Sequence, residues 1–400
     1  MMLPQDVLQI LTMLNSAGFE AYVVGGCVRD ALLGRKPSDW DIASSATPEQ
    51  AKAVFSSHTV IPTGLAHGTI TLLWNGVPYE ITSFRTDGPY SDGRRPDSVV
   101  FGTSLQEDLS RRDFTINAMA YSPSTGLVDP FGGQADLARG LIRCVGNPEA
   151  RFTEDGLRIL RAVRFSAMLG FDIEEKTHKA AFALFDRLSF VAAERKTVEL
   201  QKCLAGKAPG KGIFDFSPLW QASFPALAPP SMPPAAFDGA RERPNLSLAF
   251  FVSGSILDAV LPGLRLSSAQ NSSVRQIVKW LSVPCPVGEY AVRRFLAALS
   301  KSDAMDVLLG WKLLERENAD LALQTALAIY DRGDCLSLAE LQISGTELIS
   351  LGVPPGPKIG RIKEALFDKV LSGALENQNK CLLKAAKTLI EEIKQAEQRS

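Results

Sequence analysis

The sequence predicts an α/β head of mixed sheet and helices, followed by helical segments to the C-terminus. A strand, glycine turn and helix lie in order between Tyr22 and Leu33, a hairpin pattern runs from Thr69 to Phe84, and the chain beyond Asn245 is helical in character with no repeat of fixed period. Four hundred residues with 46% hydrophobic content suffice for about two to four domains with real cores.

Val7, Leu8, Leu11 and Leu14 recur at helical spacing, and Gly18 closes this first amphipathic helix. Tyr22-Val23-Val24 reads as a short apolar strand. Gly25-Gly26 follow as a turn where the missing Cβ permits positive φ and close approach to a ligand. Val28 to Leu33 is then a helical turn whose free N–H groups suit an anion, with Arg29 in reach. After the Gly34 to Ser38 turn, Asp39-Trp40-Asp41-Ile42 reads as a second strand, on which residues two apart share a face. Two carboxylates side by side repel unless a cation lies between them. Mg²⁺ suits this order, because it binds through one or two carboxylates together with substrate phosphates. A lone DxD is usually a solvated strand end and a lone Gly-Gly a turn; joined within about twenty residues they carry more weight.

Thr47-Pro48-Glu49-Gln50 has the shape of a capping box with proline at the first helical position, starting a helix through Ser56. In the hairpin, Asn75-Gly76 supplies the turn and Glu80 lies on the second strand between Tyr79 and Ile81. By residue type alone Glu80 is a surface acid. Arg85 to Phe101 is rich in Gly, Pro, Asp and Arg and predicts a mobile loop. Leu109 to Ala120, LSRRDFTINAMA, begins charged and becomes helical and apolar. Around Glu154 to Phe165, the residues Ile159, Leu160, Val163 and Ala167 form one apolar stripe, with Asp155, Arg158 and Arg161 on the opposite flank as i,i+3 ion pairs. Ala192 to Leu204 is helical, and the prolines and glycines of Lys207 to Asn245 predict a junction or long surface loop.

GGCVRDALLG followed by DWD resembles the signature of the nucleotidyltransferase superfamily, in the branch of class II tRNA CCA-adding enzymes and bacterial poly(A) polymerases. The resemblance is close over head and neck and loose over the tail, and it rests on helical character alone from 206 to 340. It implies a nucleotidyltransferase catalytic head at 1–140, a helical neck with a nucleotide-selecting motif at 141–205, a helical body at 206–300 and a helical tRNA-binding tail at 301–400. Asp39 and Asp41 then become catalytic metal ligands, and Glu80 of EITSFR the third acid. Gly25, Gly26 and Arg29 bind the nucleotide, Arg112 the triphosphate, and Asp113 with Asn117 lie near the ribose. Asp129 to Leu137 resembles the family's hinge. The segment 85–101 resembles a flexible loop that CCA-adding and A-adding enzymes possess and CC-only enzymes lack. Glu194-Arg195 with Glu199-Leu200 resembles a motif that braces the neck.

The EDxxRxxRAxRF motif implies that Asp155 and Arg158 read the base, with Arg161 and Arg164 supporting nucleotide and helix. Cytosine and adenine present an amino donor beside a ring-nitrogen acceptor, whereas uracil and guanine present a carbonyl acceptor beside an N–H donor. A carboxylate paired with a guanidinium therefore matches C and A. The implied reaction transfers CMP or AMP from CTP or ATP onto a tRNA 3′-hydroxyl with Mg²⁺. An A-adding enzyme, a poly(A) polymerase and a non-catalytic RNA-binding relative remain open on the sequence.

The net charge of -1 gives no global attraction to RNA, so the footprint must be local. Between Pro355 and Ile390 seven basic residues face three acids, and here the glycine amides with Lys358, and Arg361 on the following helix, are the expected RNA contacts. This stretch resembles the tail that docks the tRNA elbow. The six cysteines form no CxxC and adjoin no histidine, against zinc and disulfides, and three histidines exclude the histidine-rich phosphohydrolase domain of some relatives. The start MMLPQDVLQIL lacks a basic n-region, and no apolar run is long enough to span a bilayer. A cytoplasmic protein is expected, with no membrane and no protein partner implied.

Overall fold

The computed structural model describes residues 1–65, 68–88, 98–102 and 104–399. The chain divides into two compact units, Met1–Pro230 with Gly254–Arg265, and Ser231–Ser253 with the chain from Leu266 onward.

The first unit opens with α1 (Gln5–Ser16), which buries Val7, Ile10, Leu11 and Leu14 as their spacing predicts. β1 (Ala21–Val24) runs into Gly25 at φ 78 and ψ -127, a conformation that favours glycine, and α2 (Gly26–Leu32) begins there. β2 (Ile42–Ser44) precedes α3 (Pro48–Val54), whose capping box between Thr47 and Gln50 is formed. β3 (Thr59–Gly64), β4 (Thr69–Trp74) and β5 (Val77–Ser83) follow, with Asn75 and Gly76 both at positive φ in the β4–β5 turn. Then come β6 (Arg85–Asp87), β7 (Val99–Phe101), α4 (Leu105–Ser110), β8 (Ala120–Ser122), β9 (Gly126–Val128) and α5 (Gly133–Arg139). Seven of these strands form one mixed sheet in the order β3-β4-β5-β2-β1-β8-β9, parallel at β2–β5 and antiparallel elsewhere. Tyr22, Val24, Ala43, Phe84, Leu109 and Ala120 share one buried cluster on it.

This topology brings the two chemical motifs together. The antiparallel pairing of β1 with β2 sets Val23 opposite Ile42, and Val24 N–H donates to the Asp41 carbonyl at 3.0 Å. The glycine turn at the end of β1 therefore lies beside the aspartates at the entrance of β2.

The same unit continues through β10 (Leu141–Ile142), α6 (Pro148–Glu154), α7 (Leu157–Leu169), β11 (Asp172–Ile173), α8 (Glu175–Ala183) and α9 (Ala193–Leu204). β10 and β11 pair in parallel, and α7 buries Ile159, Leu160, Val163 and Ala167, the predicted stripe.

Four expectations need correction. The DWD segment is not itself strand: β2 starts at Ile42, because β1 turns away at Gly25 and leaves Asp39 and Trp40 no neighbour to pair with. LSRRDFTINAMA is not a helix beyond Ser110. Thr115 N–H donates to the Arg143 carbonyl and Val145 N–H to that of Asp113, so groups that a helix would pair internally are taken by a neighbouring segment, leaving one 3₁₀ turn at Thr115–Asn117. The ends of the 85–101 loop pair as β6 and β7, with residues 89–97 outside the described residues. The stretch from 207 to 245 is largely helical, in Pro209–Phe214, Ser217–Ser223 and Pro234–Ala240. Pro209, Pro218 and Pro234 stand in first turns, where the missing N–H costs nothing, whereas Pro225, Pro229 and Pro230 lie in a non-helical segment where the two units divide, as the expected junction has it.

The second unit is helical among its described residues. Towards the end of the chain, helices Pro357–Leu371 and Asn379–Arg399 pack through Leu366, Leu382 and Ala386. No single helix among the described residues is long and apolar enough to cross a membrane.

Candidate active site

A cleft of about 490 Å³ in the first unit gathers most of the residues singled out in the sequence: Gly25, Gly26, Arg29, Asp39, Asp41, Arg112, Asp113, Asn117, Asp155, Arg158, Arg161 and Arg164. Arg111, Leu157, Phe165 and Arg195 complete its lining, without having been assigned a ligand role. Seven arginines face four aspartates, a local charge of +3 in a chain whose net charge is -1. Such a concentration suits a polyanion.

The acidic end holds Asp39 and Asp41. Asp41 keeps an exposed face, yet crowding by protein raises its pKa, and the neighbouring charges of Asp39 and then Glu80 push it further against the pull of Arg112. Glu80 is exposed on β5, one residue before the Ile42–Ile81 pair that joins β5 to β2, and it does not line the cleft. Among the described residues no three of His, Cys, Asp and Glu are grouped to enclose a metal. Two crowded carboxylates fit Mg²⁺, which completes its shell with water and substrate phosphates. Cys27, buried beneath the turn, has its thiol pushed up to about 12 by burial and by Asp41.

Another end of the cleft is built on the glycine turn. Gly25 is favoured there by its positive φ, and a Cβ on it would come within 2.8 Å of Arg112 Nη1 and displace that guanidinium. Arg112 Nε is buried and has no hydrogen-bond partner among the described residues. Arg29, 5% exposed, is clamped by Asp30 through Nε and Nη2, both at 2.9 Å, and donates from Nη1 to Asn117 at 2.8 Å.

Asn117 donates in turn to Asp113 Oδ1 at 3.2 Å, which also accepts from Phe114 N–H. Arg161 pairs with Asp113 Oδ2 at 2.5 Å. Burial opposes the Asp113 charge, but Arg161, Asn117 and the Phe114 N–H outweigh it and hold the carboxyl at about 2. A folded-state value below the unfolded one means stability present above about 3.8 and lost as pH falls towards 2, on the order of 2 kcal/mol. Asp113→Asn is therefore expected to flatten the acid limb of the melting temperature against pH; an unchanged limb would place acid sensitivity elsewhere.

Phe165 forms the floor. Its ring lies 3.9 Å from the Arg164 guanidinium, 5.1 Å from that of Arg29 and 5.5 Å from that of Arg161, with Phe114 edge-on behind it. Arg164 is buried and paired with Glu199 of α9 at 2.5 Å.

At the α7 end of the cleft, Asp155 and Arg158 are not ion-paired to each other. Asp155 precedes α7 in extended backbone, accepts from Leu157 N–H at 3.0 Å and pairs with Arg195 of α9 at 2.8 Å. Arg158 lies on α7, pairs with Glu154 and donates to the carbonyls of Arg151 and Arg111, both at 3.2 Å. Each retains capacity. Oδ1 of Asp155 accepts from Leu157 N–H and Arg195 Nη1, Oδ2 from Arg195 Nη2 alone and so keeps a lone pair, and Arg158 keeps Nε–H and one Nη2–H. Arg195, in a segment expected to brace the neck, lines the cleft and is paired with Asp155. Lys358 and Arg361, both exposed on helix Pro357–Leu371, belong to the second unit and not to this cleft.

A phosphate-approaching turn, paired aspartates and an arginine-rich cleft on a mixed sheet define a nucleotidyltransferase head, and residues 21–143 match the family model described as the poly A polymerase head domain. Residues 170–216 match one described as a probable RNA and SrmB-binding site of polymerase A, and residues 260–386 a putative tRNA nucleotidyltransferase domain 2. A CCA-adding enzyme of Lactobacillus delbrueckii subsp. bulgaricus is 39% identical over 381 residues, covering 93% of this chain and 94% of its own. That of Geobacillus thermodenitrificans is 37% identical, covering 94% of each. The Bacillus stearothermophilus CCA-adding enzyme, solved with CTP, superposes over 100% of both chains with a TM-score of 0.82 and 29% identity. The fold also matches the Thermotoga maritima CCA-adding enzyme, with a TM-score of 0.70, 24% identity and 96% and 94% of the chains covered. The chain belongs to the CCA-adding enzyme family of nucleotidyltransferases.

Proposed function

We propose that this protein adds C, C and A to the 3′ end of tRNA in the cytoplasm, using CTP and ATP and no nucleic-acid template. The observation that carries this reading is the single cleft that joins paired aspartates, a glycine turn with Arg112, and the Asp155 and Arg158 pair. In the reaction the tRNA 3′-oxygen bonds to the α-phosphorus, and the bond to the bridging oxygen breaks, releasing pyrophosphate. Asp39 and Asp41 would hold Mg²⁺, with Glu80 as the neighbouring third acid. When bound, the metal lowers the pKa of the 3′-hydroxyl and offsets charge on the leaving group.

The chain's own groups do the positioning. Gly25 and Gly26 let the triphosphate approach the backbone, and Arg112, with its unpartnered Nε–H, meets it. Arg29 orients Asn117, which together with Asp113 borders the ribose. Asp155 accepts the amino group of cytosine or adenine while Arg158 donates to the ring nitrogen; Arg161 and Arg164, spread around Phe165, support the nucleotide. Residues 1–140 act as catalytic head, 141–205 as neck, 206–300 as body and 301–400 as tail, where Lys358 and Arg361 contact tRNA.

The test is pyrophosphate release with Mg²⁺ and a tRNA transcript lacking CCA. Release with CTP, dependent on tRNA and absent with UTP or GTP, is the expected result. No release with any nucleotide would leave an RNA-binding relative without catalysis.

A further inference from the structure

We infer that Asp108 is the positioning residue that aims Arg112 at the triphosphate; the inference rests on the reading of Arg112 given above. Asp108 lies on α4 with 0% of its surface exposed and is not part of the cleft lining. Its two oxygens are divided between two consecutive arginines that do line the cleft. Oδ1 accepts from Arg111, at 3.0 Å from Nε and 2.7 Å from Nη2, and Oδ2 accepts from Arg112 Nη2 at 3.4 Å. A carboxylate this deeply buried is strongly unfavourable unless its charge is paired. Here both partners are groups of the site, so Asp108 and the two guanidiniums hold one another in place.

Arg112 is thereby anchored at Nη2 by Asp108, while Nη1 occupies space that a Cβ on Gly25 would take. Nε remains buried and without a partner among the described residues, the donor left for an incoming anion. Arg111, the other arm of the fork, also faces Asp87 of β6 at 3.8 Å, and its carbonyl accepts from Arg158 Nη2 at 3.2 Å. The fork therefore ties the phosphate end to the backbone that holds the base-reading arginine.

The fork is tested by the affinity of the full chain for inorganic tripolyphosphate at fixed Mg²⁺, in a double-mutant cycle of Asp108→Asn and Arg112→Ala, with melting temperatures alongside. Asp108→Asn should weaken tripolyphosphate binding by about tenfold or more and raise the KM for CTP in parallel, since charge-assisted hydrogen bonds are the stronger ones. In the Arg112→Ala background the same change should cost several-fold less, leaving only what passes through Arg111. Asp108→Glu, which keeps the charge on a longer arm, should lose several-fold less than Asn, and it replaces Asn in the cycle should that variant not fold. Additive losses, or wild-type affinity in the Asp108 variants while Arg112→Ala binds poorly, would overturn the inference alone. Intact binding in Arg112→Ala would overturn the triphosphate reading and this inference with it.

Discussion

Replacing Asp41 with alanine is expected to lower nucleotidyl transfer by about a thousandfold or more while the chain keeps its fold. The several kcal/mol of charge stabilisation that a catalytic metal supplies converts to rate at tenfold per about 1.4 kcal/mol. Asp41 is crowded by Asp39 and Glu80, and in the protein alone its charge is a liability. Removing it should leave the melting temperature unchanged or slightly raised. Asp39→Ala should behave alike, and Glu80→Ala should cost less than either, since Glu80 stands outside the cleft lining. Retained transfer in both aspartate variants would end the metal assignment.

The second large effect is on choice of nucleotide. Asp155→Asn turns one of two acceptor oxygens into a donor, at a position where cytosine and adenine bring a donor of their own. A buried mismatch of this kind costs about 1–3 kcal/mol, so the preference for CTP over UTP should fall by roughly ten- to a hundredfold. The ratio of kcat/KM values for single-nucleotide addition reads this directly. Because Asp155 also holds Arg195, the change should raise KM for CTP as well. An unchanged ratio would move base selection away from Asp155.

These sites differ in how openly the sequence displays them. The glycine turn and the DWD segment are local, and strand pairing brings them together as soon as Val23 is set opposite Ile42. The hairpin turn at Asn75-Gly76 and the capping box at Thr47 are local as well. The stripe on α7 is visible because its burial has the period of a helix. Segments whose partners are distant in sequence read differently. RRDFT looks helical by composition, yet its backbone bonds go to residues 143–145. Motif spacing puts Asp155 on one helix with Arg158, but it precedes α7 and its partner Arg195 lies on α9. Asp108 resembles any acid in the first turn of a helix, and only burial against Arg111 and Arg112 distinguishes it. The prolines after 207 read as a loop because the same residue that breaks a helix interior also begins one.

On the proposed function, one cleft, with no nucleic-acid template, selects C and A and joins them to tRNA. The most direct test is to sequence the 3′ ends of a tRNA transcript lacking CCA after incubation with the protein, Mg²⁺ and nucleotides. The account predicts CC with CTP alone, CCA with CTP and ATP together, and nothing from UTP or GTP. Addition of A only to ends already carrying CC, long tracts of A, or unaltered ends would contradict it.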